Sequence, residues 1–161
     1  MSSINHLCTA ALLALFSLTT HAGDEPVLSS GQTLYLPVYS HLYHGNPDKH
    51  GKPAETLVST HVSIRNTDTQ APVRITHARY YDTGGKLVRN YIASPVTIPP
   101  LGTHEIFVPR TDTAGGSGAN FLIGWTAETP ANPPLVEALH ADIREARTLM
   151  FITTGRVIRV R

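Results

Sequence analysis

Cysteine is almost absent from this chain: Cys8 is the one example among 161 residues. It falls inside the apolar run 7–18, without the small residue that normally precedes a lipidated cysteine. The chain beyond that run has no thiol at all. Disulfide staples and thiol chemistry are therefore excluded there, and stability must come from core burial. Charge is also missing where the chain begins, since no Lys, Arg, Asp or Glu precedes Asp24. Long hydrophobic runs are missing too. The run 7–18 would rise only about 18 Å as a helix, short of the roughly 30 Å hydrocarbon layer. Thr20-His21-Ala22 before Gly23 has the small-residue character of a cleavage site, so residues 1–22 are expected to be a secretory signal peptide and residues 23–161 one domain. The n-region, MSSINH, carries no Lys or Arg.

A strong charge bias is likewise lacking. The net charge is +1, too little to suggest a polyanion as a general partner, and no nucleic acid is expected. Arg156, Arg159 and Arg161 make the end of the chain locally basic, which reads as a solubilising tail. No internal repeat and no low-complexity block is present, and no window carries a clear helical stripe.

What the chain does have is apolar residues at every second position, between Pro and Gly residues that number 12 of each. Leu34, Leu36 and Val38 alternate over 33–39. Val58, Thr60, Val62 and Ile64 alternate over 57–65 and leave Ser59, His61, Ser63 and Arg65 on the other face. A turn at 66–72 precedes a strand over 73–81, and Asp82-Thr83-Gly84-Gly85 closes a hairpin onto 86–92. A short VTI run ends at Pro99-Pro100-Leu101-Gly102, and the next strand covers 104–108. Residues 111–118 are a loop. Phe121, Ile123, Trp125 and Ala127 alternate, 130–134 breaks the pattern, 135–143 resumes it, and 149–153 follows with 155–158 as a continuation. The segment LVEALHADIREARTLM (135–150) has the propensity of a helix; the strand reading is adopted, with a short helical turn near 142–147. The expected fold is an all-β, antiparallel two-sheet sandwich of seven to nine strands, with immunoglobulin-like, Greek-key connections.

The runs YLPVYSHLYHG (35–45), SIRNTD (63–68), RYYDTGGKLVRNYI (79–92), GGSGANFLIGW (115–125), PLVEA (134–138) and GRVIR (155–159) resemble domain of unknown function 3124, a family of exported bacterial proteins. The likeness spans nearly all of the chain after the leader. It implies export and brings no established activity, ligand or catalytic residue. The hairpin IRNTD…VRITHARYYD (64–82) also resembles the small β-sandwich transducers of microbial sensory rhodopsins, which assemble as oligomers.

Several side chains qualify as candidates. SHLYHGNPDKHG (40–51) holds His41, His44 and His50, the set that a copper- or zinc-binding reading would use. In an extended strand His41 and His44 would face opposite ways, and Lys49 and Lys52 repel a cation from His50. The remaining histidines, His61, His77, His104 and His140, are spread along the chain. Gly115 to Ala119 nearly matches the hydrolase pattern G-x-S-x-G, with Ser117 as the nucleophile, but that elbow needs a helix after the serine and FLIGW reads as a strand. The same loop would offer an anion nest beside Arg110, Ser117 and Asn120. Glu137 lies between Leu135 and Leu139, so either that face is solvent-exposed there or the carboxylate turns inward and needs a cation such as Arg65, Arg79 or Arg156. Its most economical role is a structural ion pair.

The expected function is a non-enzymatic, exported binding or interaction module. Arg110, Ser117, Asn120, Arg65 and Glu137 are its candidate ligand contacts. No cofactor is expected, and copper or zinc would enter only under the metal-binding alternative. A hydrolase using Ser117 is a further alternative. The location is periplasmic or secreted, and the partner is a protein or a small ligand, with a homo-oligomer left open. No membrane insertion of the mature chain is expected.

Overall fold

The computed structural model describes residues 27–160. The leader expected over 1–22 lies outside the described residues, as does Arg161. Twelve strands and no helix occupy the described residues. Among them no helix is long and apolar enough to cross a membrane.

The strands form two main antiparallel sheets, whose inward faces share one core. The larger sheet places β9 (Asn120–Ala131) at its centre, between β1 (Ser29–Pro37) and β5 (Val73–Tyr81). β12 (Arg156–Val160) lies outside β1, while β6 (Leu87–Asn90) and β7 (Val96–Ile98) share the free edge of β5. The smaller sheet runs β11 (Arg147–Thr154), β10 (Leu135–Arg144), β4 (Ser59–Arg65), β8 (Thr103–Val108). β2 (His41–His44) and β3 (Ala54–Leu57) form a separate hairpin.

Period-two patterning decides which side chains meet. Leu34 and Leu36 of β1, Val62 and Ile64 of β4, Ile75 and Tyr80 of β5, and Phe121, Ile123 and Trp125 of β9 are all buried in one cluster. Fully burying aliphatic and aromatic side chains of this kind contributes roughly 1.5–3 kcal/mol each. That is enough to stabilise a domain without cross-links.

The expected hairpin at 82–85 is present. Asp82 donates its N–H to the Lys86 carbonyl at 3.0 Å and accepts from Lys86 N on Oδ1 at 2.8 Å. Gly85 takes the positive φ of 80° that the turn demands.

The segment 135–150 is strand, and the helical turn near 142–147 is not formed. Arg144 pairs directly with Arg147 across a two-residue turn. β10 is paired on both edges, with β4 and with β11, and this outweighs helix preferences worth only tenths of a kcal/mol per residue. The break expected at 130–134 also shifts, because β9 runs on to Ala131. A bulge between Ser29 and Gly31 releases the register there, so Pro130 needs no ladder partner. The strand count exceeds seven to nine because β2 and β3 form and because β12 crosses into the other sheet instead of continuing β11.

Candidate functional site

β10 points Val136, Ala138, His140 and Asp142 into the interior. The last of these carries charge. Its side chain is 1% exposed, and a carboxylate so placed is strongly disfavoured unless cations and hydrogen bonds surround it. Three guanidiniums do so. Arg144 Nε lies 3.0 Å from both carboxylate oxygens, Arg147 Nη2 3.0 Å from Oδ2, and Arg110 Nη1 3.2 Å from Oδ1. The hydrogen bond from Arg144 holds the Asp142 carboxyl below its ordinary value; burial opposes it, and Arg147 and Arg110 add to the lowering.

The three arginines come from two places. Arg110 follows β8, while Arg144 and Arg147 flank the β10–β11 turn. About half of each side chain remains exposed. One carboxylate among three guanidiniums leaves a formal surplus of two positive charges, and most of their N–H donors are not used by Asp142. Beside them is a cleft of about 400 Å³ lined by Ser59, Arg110, Ala141, Asp142, Ile143 and Arg144. Arg147 also lines a second cleft, about 330 Å³, between the β2–β3 hairpin and the start of β11. It is lined also by Leu42, Tyr43, His44, Thr56, Thr148 and Leu149.

Of the residues singled out from sequence, Arg110 alone belongs to this cluster. Arg65 and Glu137 sit on the outer face of the small sheet, 3.8 Å apart. This is the structural ion pair expected for Glu137, and its partial exposure limits it to roughly 1 kcal/mol or less. The same face carries a row running Ile152, Leu139, His61, Phe107 across all four strands.

Ser117 lies in a loop whose backbone is tied to the body. Thr83 donates both N–H and Oγ1–H to the Gly115 carbonyl, Gly118 N donates to Thr83 Oγ1, and Ser40 N donates to the Gly116 carbonyl. The N–H groups of Gly116 and Gly118, which an anion nest would use, are donated within the protein. The chain then enters β9 at Asn120, opposite Pro37 and Tyr81, so no strand-serine-helix elbow forms. Ser117 and Asn120 do not meet the arginines.

The histidine-rich stretch forms β2 and the loop after it. His41 packs against Tyr43, with ring centroids 4.9 Å apart, and its Nε2 is 3.9 Å from Glu55. His44 Nε2 is instead hydrogen-bonded to Thr56 Oγ1 at 2.9 Å, on the other face of the hairpin. In the loop, His50 donates its backbone N–H to Asp48. Among the described residues no group of three or more His, Cys, Asp or Glu side chains is placed to hold a metal.

The histidine whose setting is most unusual is His140. It is fully buried, stacked on Phe151 at 4.4 Å and edge-on to Tyr39. Its Nε2 accepts the Tyr39 backbone N–H at 3.1 Å, which fixes a neutral ring with the proton on Nδ1. Burial pushes its pKa down from 6.5 to about 4.

Sequence reasoning missed Asp142, Arg144 and Arg147. A signal was nevertheless available. Asp142 is in phase with Val136, Ala138 and His140, so a strand here must turn a carboxylate inward, and such a group needs cations.

Fold and site together define a two-layer antiparallel β-sandwich with a cluster of arginines around one buried acid at its rim. The chain belongs to the family of proteins of unknown function DUF3124, which it matches over residues 31–158. No curated protein matches it. Among solved structures, the crystal structure of Thermotoga maritima 1070 is similar at 13% identity and a TM-score of 0.42, over 78% of this chain and 92% of that one.

Proposed function

We propose that this protein is an exported, non-enzymatic binding module that takes an anionic ligand at Arg110, Arg144 and Arg147. The observation that carries this reading is the mismatch in charge around Asp142: three guanidiniums face one carboxylate. The buried acid orients the arginine forks without neutralising them, and guanidinium is suited to planar, paired hydrogen bonding with carboxylate or phosphate. The apolar run at 7–18 and the small residues before Gly23 support export. The lack of a nucleophile elbow at Ser117 supports a binding role over hydrolysis.

Titration of the purified protein with sulfate, followed by calorimetry, tests the site. Stoichiometric binding that weakens with added sodium chloride and falls at least tenfold in Arg144→Ala is expected. Binding unchanged in Arg144→Ala and Arg110→Ala would rule the site out. Export is tested by fractionation and N-terminal sequencing, with Gly23 expected as the first residue.

A further inference from the structure

We infer that the ligand is a small amphiphilic carboxylate, its charged head on the arginine cluster and its apolar body in the cleft beside Arg147. This rests on the anion-binding reading above and names the ligand class. Arg147 is the joint between the two regions. Its Nη2 reaches Asp142 at 3.0 Å, and the same side chain forms part of the wall of the second cleft.

That cleft is apolar for an identifiable reason. Leu42 and Leu149 line it, and two of its polar lining side chains, His44 and Thr56, are bonded to each other at 2.9 Å, which leaves Arg147 and Thr148 as the other polar groups of the lining. The bond between His44 and Thr56 weakens what those two side chains offer a polar occupant. At about 330 Å³ the cleft lies near the lower end of small-molecule sites, roughly 300–1,000 Å³. A short alkyl chain or a single ring fits that size.

Charge selects the other end. A neutral amphiphile would leave the surplus of two positive charges unanswered, whereas a monocarboxylate pairs with a guanidinium fork in its own plane. Since Asp142 occupies one donor of Arg147, the remaining donors of that guanidinium can turn toward the cleft mouth without breaking the cluster.

The test is a homologous series of acetate, butyrate, hexanoate and octanoate, titrated into the full protein below micelle-forming concentrations, with octanol and sulfate as comparison probes. Affinity should rise roughly three- to fourfold per methylene until the cleft is filled. Octanol should bind at least tenfold more weakly than octanoate. Leu149→Gln should flatten the chain-length dependence and leave sulfate binding intact, which separates loss of the cleft from loss of the fold. If sulfate binds but octanoate is no tighter than acetate, the amphiphile inference fails and the anion site stands. If neither sulfate nor any carboxylate binds, both fail. Octanoate binding that is indifferent to Leu149→Gln and Arg147→Ala would place the ligand elsewhere and overturn the inference.

Discussion

Arg144 Nε sits 3.0 Å from each of the two oxygens of Asp142, so one exposed side chain folds back to hold a carboxylate that the interior would otherwise reject. Arg144 and Arg147 face each other across the β10–β11 turn, and two like charges there would repel without the acid between them. The pairing thus stabilises the turn and keeps the guanidiniums converged on one place.

The first prediction follows from that geometry. The folded Asp142 pKa lies below the ordinary 3.8. A carboxyl with a depressed folded pKa contributes stability that is present above its unfolded value and is lost as pH falls through the folded one. Asp142→Asn should therefore lower the melting temperature at pH 7. The gap from wild type should narrow as pH drops below about 4. Thermal melts from pH 7 to pH 3 check this.

His140 acts over a different pH range and in the opposite charge sense. Its folded pKa is about 4, below the ordinary 6.5, so the unfolded chain binds the proton more readily. Stability is then greatest above pH 6.5 and declines toward pH 4, by no more than roughly 3 kcal/mol from this group. His140→Gln keeps an acceptor for the Tyr39 N–H and does not titrate. Denaturant unfolding at pH 7 and pH 4.5 should show a smaller pH difference in the variant than in wild type.

Leu101 adopts φ of 59° while 70% exposed. A branched apolar side chain in the left-handed region costs about 1–2 kcal/mol, and its exposure returns little by burial. Leu101→Asn should raise stability by about 0.5–1 kcal/mol, because Asn tolerates this conformation without glycine's backbone entropy. The midpoint of urea unfolding measures it.

The glycine loop supplies a fourth prediction. A Cβ on Gly115 would overlap the Tyr80 hydroxyl, and Tyr80 is buried with its hydroxyl 3.2 Å from Ser40 Oγ. Gly115→Ala should cost about 1–3 kcal/mol through overpacking. Tyr80→Phe removes the overlapped oxygen. The double variant should therefore lose less than the sum of the two single losses, which a double-mutant cycle would reveal.

Legibility in the sequence followed how completely each strand buries one face. β1, β4 and β9 alternate legibly because most of their buried residues are apolar, with Gln32 and Thr60 as exceptions. β2 and β3 have only four residues each, too few for a period to register. In β12 every residue is exposed, so no buried face marks it in the sequence, and its place beside β1 is set by antiparallel pairing. The segment 135–150 carries a helix former's composition, and only partners on both edges make it a strand. The site was legible in one residue, Arg110. Glu137 pairs with Arg65, one of the three cations that the sequence offers it, on the outer face of the small sheet and away from the arginine cluster.

By itself, the sequence determined that residues 27–160 are all-β, that their sheets bury one face each, and that no disulfide holds the domain beyond the apolar run 7–18, because alternation and composition are local properties of the chain. The tertiary structure alone decided that residues 110, 142, 144 and 147 meet. Antiparallel pairing of β4 with β8 and of β10 with β4 and β11 brings the end of β8 and the β10–β11 turn to the same rim. A carboxylate facing inward there collects cations from both, and no reading of spacing along the chain contains that distance.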